Sequence, residues 1–217
     1  MSYDSQKKNF EQAYQTGTDL WSTIYKNIPK VVKQFAETGE TKDIILDIGA
    51  GRGRLARTLA EYGFRVIGLD IVKQIVDKNN DEVKLEGLAR EIKFMEGSVL
   101  DIPFTDEGFA GAVDIGTMQH ILKEDFGKYA KEVSRVIRKD GYFLLVVLSK
   151  ENSNYLSWNP KQGTNSDFEY SGTHYHFFTQ DEIEEIFSPY FHIQLIKVEY
   201  LEERKNEAHV VALMKRR

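Results

Sequence analysis

Ile44-Ile45-Leu46-Asp47-Ile48-Gly49-Ala50-Gly51-Arg52-Gly53 is the stretch that decides the fold. An apolar run closes on an acid, and glycines follow at alternate positions. A helical pattern then opens at Arg54-Leu55-Ala56 and continues through Leu59-Ala60. The order reads as a buried strand, a tight turn and a helix N-terminus. Glycine lacks a Cβ, so such a turn lets bare backbone approach a ligand closely. Arg65-Val66-Ile67-Gly68-Leu69-Asp70 reads as a second apolar strand ending in an acid. A carboxylate at that place can accept hydrogen bonds from both hydroxyls of a ribose. The two strands together imply a ligand that contains a nucleoside.

The glycine spacing narrows the ligand. Dinucleotide folds use G-x-G-x-x-G, whose third glycine allows close packing of helix on strand. Here Gly49, Gly51 and Gly53 give G-x-G-x-G, and position 54 is Arg. Asp47 stands directly before the turn. A carboxylate there repels a pyrophosphate and attracts a cation. S-adenosylmethionine carries an amino group and a sulfonium and has no phosphate, so the charges favour it.

Further motifs follow in chain order. Phe94-Met95-Glu96-Gly97-Ser98-Val99-Leu100-Asp101-Ile102-Pro103-Phe104 resembles a third strand with a G-D-A-x-D-L-P-F loop. Gly108 to Ile121 resembles a fourth strand ending in L-H-H-L. Glu132 to Val147 resembles the helix, turn and strand of E-x-x-R-V-L-K-P-G-G. With the glycine turn, these make residues 42–217 resemble a class I S-adenosylmethionine-dependent methyltransferase of the small single-domain kind.

The resemblance implies roles position by position. Asp47 would hold the methionine amino group through water, with Gly49, Ala50 and Gly51 presenting backbone to the methionine moiety and Gly53 as a further cofactor-binding residue of the turn. Asp70 would take the ribose hydroxyls, and Ile71 would pack on the adenine. Ser98 and Val99 would flank the adenine edge, Val99 by its backbone N–H. Gly116 and Thr117 would lie near the amino group and the methyl donor. Two positions depart from the pattern: Ser98 replaces the adenine-side acid, and Phe109-Ala110 replaces Phe-Asp. Recognition of the adenine amino group then falls to Ser98, to Asp101 or to backbone. The ending Gly116-Thr117-Met118-Gln119 lacks the Asn/Asp-Pro-Pro-aromatic motif of enzymes that methylate base or glutamine-amide nitrogen. The Met118-Gln119-His120-Ile121 ending and the His176-Phe177-Phe178-Thr179 run before the late helix resemble single-domain small-molecule enzymes, including those near the tellurite-resistance group.

The apolar stretches 44–48, 65–69, 92–95, 111–116 and 142–148 alternate with helical ones, which predicts an α/β, doubly wound, mostly parallel sheet of Rossmann-like architecture. Phe191 to Tyr200 and Ala208 to Met214 read as strands with no helix between, a C-terminal antiparallel hairpin on the sheet edge. Thr179-Gln180-Asp181-Glu182 reads as a capping box, with Phe178 and Ile183 as its hydrophobic staple. The chain of 217 residues suits one domain with a proper core. Its parts are a helical lid over 1–40, a cofactor core over 42–148, an acceptor-side insertion over 149–178, and a helix and hairpin over 179–217.

Cysteine is absent, which removes disulfides and thiolate metal sites and fits a reducing cytoplasm. The N-terminal residues lack the apolar core of a signal peptide, and the longest apolar runs are too short to span a bilayer. A formal net charge of −5 disfavours a broad nucleic-acid footprint. The expected partner is a small-molecule acceptor, and the oligomeric state is not legible.

Acceptor candidates come from two segments. Residues 1–40 carry Phe10, Tyr14, Leu20, Trp21, Ile24, Tyr25, Ile28, Val31, Val32 and Phe35, near-helical in spacing from Leu20 onward. Most read as core; Tyr14 and Trp21, with apolar bodies and polar tips, are candidates to face the acceptor. The connection from Ser149 to Phe178 is long and aromatic, and long connections in compact domains tend to be functional. Tyr175 is its candidate for the acceptor. His174 and His176 alternate, so in an extended chain they share a side. They read as an acid–base or hydrogen-bonding pair or as a surface strand, and no third metal ligand can be named. His120 follows the fourth strand and reads either as an acceptor contact or as a structural histidine under the sheet edge.

The expected reaction is transfer of a methyl group from sulfonium to nucleophile by in-line displacement, in which the protein mainly aligns and desolvates the partners. A base is needed only for a nucleophile that arrives protonated, and His120, His174 and His176 are the candidates. Other possibilities are a methyltransferase-like regulatory or scaffold protein, a nicotinamide oxidoreductase, and a protein or RNA acceptor.

Overall fold

The computed structural model of the chain describes residues 2–19, 30–37, 43–158, 166–201 and 204–217. Strands β1 (Ile44–Ile48), β2 (Arg65–Asp70), β3 (Ile92–Glu96), β4 (Phe109–Ile115) and β5 (Ile137–Leu148) form the parallel part of a sheet. Strands β8 (Phe191–Leu201) and β9 (Arg204–Arg216) complete it in antiparallel sense, giving the order β3-β2-β1-β4-β5-β9-β8. The expected hairpin is therefore present, with its second strand against β5 and its first at the edge. Strand β5 starts five residues before the apolar run that predicts it, after a register shift against β4 between Phe109 and Gly111.

The period-two alternation of the strands sorts their side chains between two cores. Leu46, Ile48, Phe143, Leu145 and Val147 pack with Phe126, Tyr129 and Val133 of α5 (Phe126–Val136) and with Ile183 and Phe187 of α7 (Gln180–Phe187). Ile45, Leu144 and Val146 face the other way. They pack with Phe35 of α2 (Val31–Ala36), Leu55 and Leu59 of α3 (Arg54–Glu61), and Val76 and Val83 of α4 (Lys73–Leu85). A parallel sheet covered on both faces explains why its strands read as nearly continuous apolar runs. Val31, Val32 and Phe35 are core as expected, whereas Leu20, Trp21, Ile24, Tyr25 and Ile28 lie outside the described residues. Among the described residues, no helix is long and apolar enough to cross a membrane.

The chain runs outward through β1, β2 and β3, then returns to place β4 on the other side of β1. That reversal opens a crevice at the carboxyl ends of β1 and β4, the place where open α/β sheets bind ligands. Helix α1 (Tyr3–Thr16) lies across it. Its N-terminus is a capping box between Ser2 and Ser5, and its C-terminus is closed by Gly17 in the left-handed region.

The connection after β5 holds α6 (Ser153–Trp158) and a hairpin of β6 (Asp167–Tyr170) with β7 (Thr173–His176). Tyr155, Phe177 and Leu148 form a small separate core there, with Phe168 and Tyr175 against it. His176 is fully buried between two carboxylates, with Nδ1 2.8 Å from Asp167 Oδ1 and Nε2 3.0 Å from Glu182 Oε2. Half of the expected capping box is formed: Thr179 Oγ1 accepts from the Glu182 backbone N–H at 3.2 Å. The Glu182 carboxylate turns instead to His176 and, at 3.5 Å, to Lys123. Burial pushes the Glu182 carboxyl up, but the His176 hydrogen bond and charge overcome this and hold it below its ordinary value. Its contribution to stability is thus complete above the unfolded value and fades as pH falls through the lower folded one. His176→Phe is expected to cost on the order of 2 kcal/mol by denaturant unfolding, because it leaves a half-buried carboxylate without its partner.

Candidate active site

A single cavity runs under α1 along the carboxyl ends of β1, β2 and β4. It encloses about 970 Å³ free of protein atoms, including its open mouth. One end is lined by Asp70, Ile71 and Gly97 to Leu100, the middle by Gly49, Gly116 and Thr117, and the far end by Phe10, His120 and Ile121; Tyr14 lies over the glycine turn, its hydroxyl 3.1 Å from where a Gly51 Cβ would stand.

The glycine turn is shaped by its neighbours. Gly49 has φ +67°, and a Cβ there would collide with the Thr117 side chain. Thr117 is held in place by its own bonds: Oγ1 donates to the Ile48 carbonyl at 3.0 Å, and its N–H donates to Asp114 at 2.7 Å. Gly53 caps α3 at φ +68° and faces Phe94, whose Cζ lies 2.5 Å from where a Cβ would stand. Gly53 is therefore a packing and turn residue and does not line the cavity, contrary to the role the motif implied. Ala50 and Gly51 are likewise turned inward: the Ala50 N–H donates to the Leu69 carbonyl at 2.9 Å, and the Gly51 N–H to Asp70 Oδ2 at 2.9 Å.

Asp70 is thus fixed before any ligand arrives, since its Oδ1 also accepts the Val72 N–H at 2.9 Å. Burial raises its carboxyl above the ordinary value. The oxygens still have lone pairs for a donor in the cavity they line. Ile71, Val99 and Leu100 supply an apolar surface beside them. The Ser98 hydroxyl is turned to its own loop, where it accepts the Leu100 N–H at 3.2 Å, and Asp101 is exposed away from the cavity. Of the adenine-recognition options, Ser98 and backbone remain at the site and Asp101 does not.

Asp47 lies beneath the turn, 2% exposed, and does not itself line the cavity. Its Oδ2 is buried with no hydrogen-bond partner. Burial, then the Asp114 and Asp70 carboxylates, push its carboxyl up to about 8. Asp114 is fully buried and accepts from the Thr117 and Met118 N–H groups and from the Tyr129 hydroxyl at 2.6 Å; burial still raises it to about 6. The unpartnered buried Asp47 oxygen is open to a hydrogen-bond donor, and a cation bound above would favour the ionised form of these acids.

Helix α1 is fastened over the cavity at several points. The Tyr3 hydroxyl donates to Asp125 at 2.7 Å and accepts the Leu122 N–H at 3.1 Å. Lys7 pairs with Glu96 at 3.0 Å on the nucleoside side. Arg52, inside the glycine turn, holds Asp19 at 2.9 Å and lies 5.6 Å above the Tyr14 ring. Tyr3, Gln6, Lys7, Phe10 and Tyr14 all line the cavity. The sequence reading missed Tyr3, Gln6 and Lys7. Their signal is a helical stripe at 3, 7, 10 and 14, obscured by the polar residues within it.

The acceptor candidates separate. Tyr14 and His120 line the cavity, and Trp21 lies outside the described residues. Tyr175 is one layer back, its ring 4.8 Å from that of His120. His174 and His176 do share a side, facing Asp167 at 3.4 and 2.8 Å, but neither lines the cavity. Their expected catalytic role is corrected: His174 reaches the site only through its backbone, and His176 clasps the hairpin to α7. The insertion buttresses the site from behind, and none of its described residues walls the cavity.

The donor set suits S-adenosylmethionine. Asp70 matches the ribose diol, Ile71 and Val99 match an adenine face, and the acids below the turn match the ammonium and sulfonium. Residues 45–141 match the model of the family described as methyltransferase domain. That stretch is a little under half of the chain. The sheet order is that of the class I methyltransferase fold. An uncharacterised methyltransferase of Bacillus subtilis is 35% identical over 104 residues, covering 47% of this chain and 39% of that protein. A demethylmenaquinone methyltransferase of Lactobacillus johnsonii is 32% identical over 104 residues, covering 46% and 41%. The chain thus spans less than half the length of these two relatives. The 1,6-didemethyltoxoflavin-N1-methyltransferase of Burkholderia thailandensis, solved with 1,6-didemethyltoxoflavin and S-adenosylhomocysteine, superposes with a TM-score of 0.79 at 22% identity. That likeness covers 98% of this chain and 88% of the other, and at such identity it is one of fold.

Proposed function

We propose that this methyltransferase-domain protein moves a methyl group from S-adenosylmethionine to a small-molecule acceptor. One observation carries the reading: the nucleoside end and the aromatic far end belong to one cavity, and α1 covers both. When bound, S-adenosylmethionine supplies a sulfonium-bound methyl that an acceptor lone pair takes in line, the electron pair of the C–S bond staying on the sulfur of S-adenosylhomocysteine.

The chain's own part is placement and exclusion of water. Asp70 orients the ribose, and the turn at Gly49 with Thr117 fixes the methionine end. Asp114 supplies negative potential below it, and an ammonium bound there favours the ionised form of Asp47. Helix α1, with Tyr3, Phe10 and Tyr14, closes the reacting centre from solvent, which strengthens these interactions. Orientation of this kind accounts for much of the barrier reduction in a bimolecular displacement. A covered cavity within one small domain favours a small acceptor over RNA or a protein.

The test supplies methyl-labelled S-adenosylmethionine with three fractions of a cell extract, namely small molecules, protein and RNA. Label is expected in the small-molecule fraction with stoichiometric release of S-adenosylhomocysteine. Label in RNA or protein alone would overturn the small-acceptor reading.

A further inference from the structure

We infer that His120 is a hydrogen-bond-accepting subsite for the methyl acceptor, selecting uncharged acceptors that carry an N–H or O–H group. This rests on the methyltransferase reading and specifies the substrate class of its site.

The geometry fixes the tautomer. His120 Nδ1 lies 2.7 Å from the His174 carbonyl oxygen. A carbonyl only accepts, so Nδ1 carries the hydrogen and Nε2 of the neutral ring is left as an acceptor. The ring lines the cavity, and among the described residues no donor meets Nε2. Burial pushes the imidazole down to about 4, so the ring stays neutral through the physiological range.

Gln6 holds this arrangement from the lid. It is 2% exposed and uses both ends of its amide: Nε2 donates to the His120 carbonyl at 3.1 Å, and Oε1 accepts the His174 N–H at 3.1 Å. The His120 ring is also braced edge-on by Phe10 at 5.4 Å and Tyr175 at 4.8 Å. Turning the ring would break its contacts with Phe10, Tyr175 and the His174 carbonyl, and moving the proton to Nε2 would break the Nδ1 bond.

Charge defines the acceptor further. Among the described residues lining the cavity, Lys7 is the one cation, and it is paired with Glu96. An anionic acceptor would find no free cation among these lining residues. An ammonium acceptor has no lone pair until it loses a proton, and so weak a base as His120 would not remove it. A neutral group with a donor hydrogen and a lone pair fits both limits, and Phe10, packed on the His120 ring, offers it an apolar wall.

The test uses phenol, anisole and benzoate as probes on protein loaded with S-adenosylhomocysteine, with binding read by NMR of histidine-labelled protein. Phenol is expected to bind about five- to tenfold tighter than anisole, the worth of one net hydrogen bond, and benzoate more weakly than phenol. His120→Phe should abolish the phenol preference while S-adenosylhomocysteine affinity holds, and His120→Gln, which retains an acceptor, should restore it. Nitrogen shifts of the wild type should show Nδ1 protonated and Nε2 bare, without titration between about pH 5.5 and 8.5. Equal binding of phenol and anisole, preferred binding of benzoate, no binding of any probe at millimolar concentration, or a protonated Nε2 would each overturn the inference. Failure of S-adenosylhomocysteine to bind is a separate outcome that counts against the parent reading, and the probes are then compared on unloaded protein.

Discussion

Asp70→Ala is expected to weaken S-adenosylhomocysteine binding roughly 100-fold, because two charge-assisted hydrogen bonds to a ribose are worth about 3 kcal/mol or more. The carboxylate is held by the Gly51 and Val72 N–H groups and needs no rearrangement to receive the diol. The same anchoring means that alanine strips two buried donors of their acceptor, so stability falls as well, by about 1–3 kcal/mol per group. Asp70→Asn separates the effects. It keeps an acceptor for one donor and much of the fold, but loses the charge and one acceptor oxygen toward the ribose. Calorimetry and denaturant unfolding on both variants distinguish the cases. Equal affinity for wild type and Asp70→Ala would remove Asp70 from the ribose site.

The second large effect is a pH dependence set by Asp47. Its carboxyl stands at about 8 in the fold against an ordinary 3.8. An acid raised in the fold keeps a proton that the unfolded chain has released. Stability of the ligand-free protein is then fully present below the unfolded value and declines as pH rises toward the folded one, by at most about 1.4 kcal/mol per pH unit. Asp47→Asn should flatten that decline and make the ligand-free protein more stable at about pH 8. Binding runs the other way. A ligand ammonium favours the ionised carboxyl, so affinity for S-adenosylhomocysteine should rise with pH up to about 8, by at most tenfold per unit, with release of a proton. 5′-Methylthioadenosine lacks the amino group and should show no such rise. Calorimetry in two buffers of different ionisation enthalpy reads the proton directly. A flat affinity without proton release would show that Asp47 does not answer the amino group.

Both effects start from residues that the sequence displays. The buried parallel strands were legible because a sheet covered on both faces leaves unbroken apolar runs, and the turn was legible because Gly49 must adopt a positive φ beside Thr117. Asp70 was legible because it ends a strand of that sheet. What stayed hidden is set by contacts between distant segments. A helical lid was legible over residues 1–40, but how it sits was not: α1 is mostly polar and is held over the cavity by single hydrogen bonds such as those of Tyr3 and Gln6. The β6–β7 hairpin consists of four-residue strands, too short for alternation to register, so the segment reads as loop. His174 and His176 looked catalytic because spacing reveals a shared side but not what that side meets. It meets Asp167, away from the cavity. Gly53 looked like a ligand-facing glycine because the motif does not reveal Phe94 beneath it.

The most direct test of the account is calorimetric titration of the wild-type protein with S-adenosylmethionine and S-adenosylhomocysteine, with a nicotinamide dinucleotide as the counter-ligand. Saturable one-to-one binding of both sulfur ligands and none of the dinucleotide is the predicted result. Binding of the dinucleotide alone, or of nothing, would contradict the cofactor assignment and every step built on it.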